Sequence, residues 1–241
     1  MSAHASFFSV LTSVYEPPLE ALSAAIESVC AKTLRDWELI LVDDATPSDA
    51  VRSVLAQAAA RDKRITVIHR ATNGGIVASS NDAIGAARGQ FLVLLDHDDL
   101  IVPHALQRVH EALADSPEAD YVYCDEDKMD TDGDLYEEFG KPDWSPERLR
   151  GQMHTCHMSV LRASLVRELR GFRPGYDGSQ DHDLVLRLTE RARRVSTSPR
   201  SSTTGAWSPD LLPVTRRPSR MRGWRDVTRR RTNLTAWESP L

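Results

Sequence analysis

The stretch "FLVLLDHDDL" (residues 91–100) joins an apolar run directly to three carboxylates, Asp96, Asp98 and Asp99, gathered around His97. Like charges crowded this closely repel, so the arrangement is costly unless something positive lies among them. The apolar run itself reads as a buried strand that stops where the charges begin. Upstream, "FFSVLTSVY" (7–15), "WELILVDDA" (37–45) and "ITVIHR" (65–70) read as three further strands. Between them lie "LEALSAAIESVCA" (19–31), "SDAVRSVLAQAAARD" (48–62) and "IVASSNDAIGAAR" (76–88), which read as helices, with Ser48 placed as an N-cap. Strands that are apolar on both faces and alternate with helices predict an α/β fold with a mostly parallel central sheet flanked by helices.

Ligands of such sheets bind beyond the carboxyl ends of the strands. Those ends read "SVYEP", "VDDAT", "HRATNGG" and "DHDD", all polar or turn-forming, and they are expected to converge on one crevice. In an extended segment residues i and i+2 point the same way, so Asp96 and Asp98 are expected to face one point with His97 turned aside. Hard oxygen ligands of this kind suit Mg²⁺ or Mn²⁺ shared with a diphosphate. A solvated acidic loop is the plainer reading of an isolated D-x-D.

The segments "LILVDDAT" and "NGGIVASSNDAIGAARGQFLVLLDHDD" resemble the family 2 glycosyltransferases, which have the GT-A nucleotide-sugar-binding fold. "YCDEDK" (123–128), "FGKPDWSPERL" (139–149), "CHMSVLRASLV" (156–166) and "GFRPGYDGSQDHDLVLRL" (171–188) extend the resemblance to a bacterial subgroup acting in cell-surface polysaccharide synthesis, over about residues 6–195. The resemblance implies a donor-nucleotide site formed by Val14, Tyr15, Glu16, Asp43, Asp44, Asn73, Gly74, Gly75 and Asp96. It implies Asp98 and Asp96 as metal ligands for Mn²⁺ or Mg²⁺, and Asp181 as the base that deprotonates the acceptor in an inverting transfer. Gln180 stands where the family usually has Glu, which leaves Asp181 the natural base. Without the resemblance, Asp181 and Asp183 read as first-turn acids that favour a helix dipole. Trp144, His157 and Gln180 are assigned to the acceptor side, although a loop anchor is the simpler role for Trp144. The partners implied are a nucleotide-diphospho-sugar donor and a glycan or lipid-linked acceptor. The nucleotide-binding part is expected over 1–130 and the acceptor and catalytic part over 131–195.

The bulk composition is ordinary for a soluble globular protein. The 241 residues are 41% hydrophobic with a formal charge of −5, and no apolar run reaches the length of a membrane span. The N-terminal "MSAHASFFSV" lacks a basic region and reads as a first strand rather than a signal peptide. Cys30, Cys124 and Cys156 show no metal or disulfide spacing, so a cytoplasmic location is expected, with peripheral association at the inner membrane face the variant of it.

From residue 196 the character changes. Residues 196–241 hold nine Arg, no Lys and three acids, and are rich in Ser, Thr and Pro, a composition that predicts disorder. No nucleic-acid-binding motif accompanies those arginines, and nucleic acid is not an expected partner. Codons permitted for residues 196–205, read one base earlier from the last base of the Val195 codon, spell "VHIPEVLYHW", close to the segment the resemblance leads one to expect. A frame-shifted tail is therefore the hypothesis for 196–241, and sequencing the gene across codon 195 tests it. Loss of that segment gives the alternative functional reading, a catalytically impaired nucleotide-binding remnant of such an enzyme.

Overall fold

The computed structural model describes residues 6–129 and 135–205. The first part alternates as the sequence predicts: β1 (Phe8–Val14), α1 (Leu19–Cys30), β2 (Trp37–Asp43), α2 (Asp49–Arg61), β3 (Ile65–His69), α3 (Gly75–Ala86) and β4 (Phe91–Leu94). There follow β5 (Leu100–Ile101), α4 (Ala105–Asp115), β6 (Ala119–Met129), β7 (Leu135–Phe139), α5 (Pro146–Gly151), β8 (Ser159–Arg162), α6 (Ala163–Glu168), α7 (Gln180–Thr189) and β9 (Arg194–Gly205). They form one sheet in the order β3-β2-β1-β4-β8-β6-β9-β5, with β7 paired to β6.

The period of two along each strand feeds two cores. In β2, Leu39 and Leu41 pack toward Leu22 and Val29 of α1 and Leu106 of α4. Ile40 and Val42 pack on the other face, with Val77 and Ile84 of α3 and Leu184 and Leu188 of α7. A strand buried on both faces has no polar side, which is why the run over residues 39–42 is continuously apolar. Ser48 caps α2 as expected, its side chain accepting from the Val51 N–H. The buried Glu38 of β2 accepts from Ser9 Oγ (2.7 Å) and from the Arg88 N–H (2.7 Å), tying the entry to β4 across β1.

Strands β3, β2, β1 and β4 are mutually parallel. At β4 the direction reverses, because β8 pairs with it antiparallel and Leu94 lies opposite Ser159. The lead-in to β8 therefore arrives beside the exit of β4. Strand β6 runs antiparallel to β8 and parallel to β9.

Strand β9 corrects the expectation of disorder from residue 196. It continues to Gly205, with Thr197 beside Tyr123 and Thr203 beside Glu126. Pairing to an existing sheet edge and the β-branched threonines outweigh the Ser- and Pro-rich composition there. The remainder of the tail expectation, residues 206–241, lies outside the described residues. Among the described residues no helix is long and apolar enough to cross a membrane.

Candidate active site

Beyond Leu94 the chain does not stay extended. The Asp99 N–H donates to the Asp96 carbonyl (3.2 Å), closing a turn over 96–99. This corrects the expected pairing of Asp96 with Asp98 along a strand, since a turn returns residue i+3, here Asp99, to the side of Asp96. The antiparallel lead-in to β8 brings His157 to the same place. Its Nδ1 lies 3.0 Å from Asp99 Oδ2 and 3.8 Å from Asp96 Oδ2. The hydrogen bond to Asp99 raises the His157 pKa to about 9, with burial opposing and the Asp99, Asp96 and Glu126 charges adding. An imidazolium is thus one positive charge that the acidic cluster needs.

Burial in the crowded crevice pushes Asp96 up to about 6, with Asp99 the next contributor, Asp181 and Asp98 adding and His157 opposing. Its side chain is nonetheless 54% exposed, because its open side faces the crevice mouth. The crevice runs between β1, α3 and the start of α7, and Ser13, Ile76, Ser80, Asp96, Gln180 and Asp181 line it. The two first-turn acids of α7 have separate fates. Burial alone would raise Asp183, but hydrogen bonds from Arg173 and Arg187 hold it below the usual carboxylate range. Asp181 faces the crevice, receives only the Gln180 amide (3.1 Å) among the hydrogen bonds found, and is raised by burial, with His157 and Gln180 opposing. The two acids thus sit in opposite environments, Asp183 held by two guanidinium groups and Asp181 turned to the crevice.

The ends of β1, β2 and β3 form the adjoining wall. Asp43 lines an open hollow of about 520 Å³ with Thr46, Arg52, His69 and Arg70. Its carboxylate accepts from the Thr46 N–H (2.9 Å) and contacts His69 Nδ1 (2.9 Å). Asp44 accepts from the N–H groups of Gly74 (2.9 Å) and Gly75 (2.8 Å) and pairs with Arg70. Asn73 Oδ1 also accepts from the Gly75 N–H (3.1 Å). Tyr15 and Glu16 are exposed, whereas the Val14 side chain is buried in the core and leaves only its backbone for a ligand.

Residues 9–169 match the family model described as Glycosyl transferase family 2. The chain belongs to that family. It is 37% identical over 187 residues to the O-antigen biosynthesis protein RfbC of Myxococcus xanthus, covering 78% of this chain and 15% of that protein. The structure resembles S. aureus TarS 1–349 in complex with UDP-GlcNAc, at TM-score 0.66 and 20% identity, over 82% of this chain and 58% of the other. It also resembles the mannosyltransferase PcManGT of Pyrobaculum calidifontis in complex with GDP-Man and Mn²⁺, at TM-score 0.66 and 17% identity, over 86% and 58% of the two chains. The family 2 chain therefore has the GT-A fold, and it spans only a small part of the curated relative's length.

The family 2 site offers a fitting donor set for a divalent ion. Asp96, Asp99 and His157 present two carboxylates and an imidazole, which gives up its proton to a metal, and their ligand atoms lie within 4.8 Å of one another. Oxygen and imidazole donors of this kind suit Mn²⁺ or Mg²⁺. Asp98, expected as a ligand, is on the same turn but outside that group. Trp144 packs into the core and stacks on His154, with ring centroids 6.5 Å apart, as an anchor would. The sequence reading missed Asp99 as a partner of Asp96. It also missed Glu126 and Lys141, which contact the backbone of His157. The crowding in "DHDD" was a signal for the first; nothing local signals the others.

Proposed function

We propose that this chain transfers a sugar, with inversion, from a nucleotide diphosphate to a hydroxyl of a glycan or lipid-linked acceptor. The observation that carries the reading is the placement of Asp181 and Asp96 on one crevice at the carboxyl ends of the strands. Asp181 is the proposed base: burial raises its proton affinity, and Gln180 fixes its orientation. Direct displacement of the diphosphate, assisted by a single base, gives inversion. Asp96, Asp99 and His157 would hold Mn²⁺ or Mg²⁺, with Asp98 proposed as a further oxygen ligand. When bound, such an ion offsets charge developing on the departing diphosphate. The nucleotide is proposed to lie across Tyr15, Glu16 and the Val14 backbone, with its base toward Asp43 and Asp44 and the Asn73–Gly75 turn beneath it. The acceptor is proposed to approach from the Gln180 side.

The name of the RfbC relative supports cell-surface polysaccharide synthesis as the setting, and the UDP-GlcNAc and GDP-Man complexes of the structural neighbours support a nucleotide-sugar donor. The proposed location is the cytoplasm, with peripheral association at the inner face of the membrane as its variant.

Calorimetry with UDP, GDP and dTDP, with and without Mn²⁺, tests the reading, alongside nucleotide release from the matching sugar donors. Metal-dependent binding of one nucleotide, weakened in Asp96→Asn and Asp98→Asn, is expected. Binding of none rejects it. A second reading, a nucleotide-binding remnant that does not transfer, rests on the change of composition at residue 196, inside β9. Binding without turnover selects that reading.

A further inference from the structure

The motifs "YCDEDK" and "KPDW" have no part in the chemistry above, yet they meet behind His157. Lys141 lies just past β7, and its side chain is only 1% exposed. Its Nζ is 3.1 Å from Glu126 Oε2 of β6 and donates to the His157 carbonyl at 2.8 Å. Glu126 Oε2 in turn accepts from the His157 N–H at 2.9 Å. The Lys141 backbone is itself fixed, its N–H donating to Asp125 Oδ1 at 2.8 Å. Both backbone polar groups of His157 are therefore gripped by one ion pair, a buried Lys141 and a part-buried Glu126, drawn from two other segments.

A buried ammonium is strongly disfavoured unless charge and hydrogen bonds compensate it. A lysine needed only to neutralise Glu126 could do so at the surface at less cost. Here one ammonium bridges a carboxylate and a carbonyl on a segment that has left β6 and not yet entered β8. The His157 ring is the group that this segment presents to Asp96 and Asp99.

We infer that Lys141 and Glu126 are positioning residues, a clamp that sets the His157 ring against Asp96 and Asp99. Their role toward a metal rests on the function proposed above; their role toward His157 does not. Removing an outer-shell partner of this kind lowers metal affinity by about 10- to 100-fold.

The test uses the full chain, with Lys141→Met, Glu126→Gln, His157→Ala and the double variant Lys141→Met/His157→Ala. Hydrogen exchange is followed by mass spectrometry in peptides spanning 153–161, with peptides from β1 and β4 as the fold control. Lys141→Met and Glu126→Gln should accelerate exchange around residue 157 and leave β1 and β4 protected. Unchanged exchange around 157 overturns the clamp. Calorimetry of UDP with Mn²⁺ then gives the coupling. Lys141→Met should weaken Mn²⁺-dependent binding by about 10-fold or more, and the double variant should be no weaker than His157→Ala alone. Additive losses place the effect of Lys141 elsewhere and overturn the proposal. If the unsubstituted chain shows no Mn²⁺ response, the metal reading falls, and hydrogen exchange alone decides the clamp. Global loss of protection in Lys141→Met transfers the decision to Glu126→Gln, which keeps the side-chain shape but removes the charge that pairs with Lys141 and turns one acceptor oxygen into a donor.

Discussion

Asp44 and Gly75 meet where the end of β2 faces the start of α3, the Asp44 carboxylate 2.8 Å from the Gly75 N–H that opens α3. The same carboxylate takes the Gly74 N–H and the Arg70 guanidinium, so one buried side chain organises the start of a helix from the end of β2. Asp44→Ala should leave the Gly74 N–H without its acceptor, the Gly75 N–H to Asn73 and Arg70 to Asp82. The expected loss is about 1–3 kcal/mol, read as a lower urea midpoint at unchanged slope. Nucleotide binding should weaken alongside, since the Asn73–Gly75 turn loses its anchor.

Gly75 itself has φ +80, in the left-handed region, and a Cβ there would lie 3.3 Å from Asp177 Oδ1. Gly75→Ala is expected to cost about 1–2 kcal/mol from backbone conformation alone. Thermal unfolding checks it. A loss no larger than that of an exposed helical Gly85→Ala control, where a Cβ meets nothing within 4 Å, would remove the argument.

Asp181 and Asp183, two residues apart on α7, should separate in opposite directions. Asp181→Asn should lower turnover by about 10²- to 10⁴-fold, the usual range for a general base, with nucleotide affinity nearly unchanged. Asp183→Asn breaks the pairing with Arg173 and Arg187 and should act on stability first. Parallel measurement of kcat and of the denaturation midpoint for both variants decides it.

Asp120 gives the acid limb of stability. Burial alone would raise it, but hydrogen bonds from Arg193 and Arg162 lower it to about 2. A carboxylate depressed in the folded state stabilises above its unfolded value near 4 and loses that contribution as pH falls toward 2. Allowing for solvent screening through the exposed Arg193, the contribution is on the order of 1–2 kcal/mol. Denaturation between pH 5 and 2 should therefore be less steep in pH for Asp120→Asn than for the unsubstituted chain.

What the sequence makes legible here is what is local. The alternation from Phe8 to Leu94, the Ser48 cap and the polar strand ends follow from period, capping chemistry and the placement of charge, all read within a few residues. The partnership of Asp96 with Asp99 needed the turn that bends "DHDD", and a strand-like reading extended the wrong periodicity by a few residues. His157 came into the site by the antiparallel docking of β8 on β4, a long-range pairing that no nearby residue encodes. Strand β9 shows the same limit from the other side, since its pairing partner rather than its own composition makes it a strand.

The reversal at β4 also orders events during synthesis. The parallel β1–β4 unit is complete by Leu94, whereas His157 reaches the aspartates only after β8 has emerged and paired. Pairing between segments distant in sequence is slower than local pairing, because loop closure must come first. A nascent chain stalled before residue 157 would display Asp96, Asp98 and Asp99 with no imidazolium to balance them. The charge balance of the site thus depends on a pairing distant in sequence, Leu94 against Ser159.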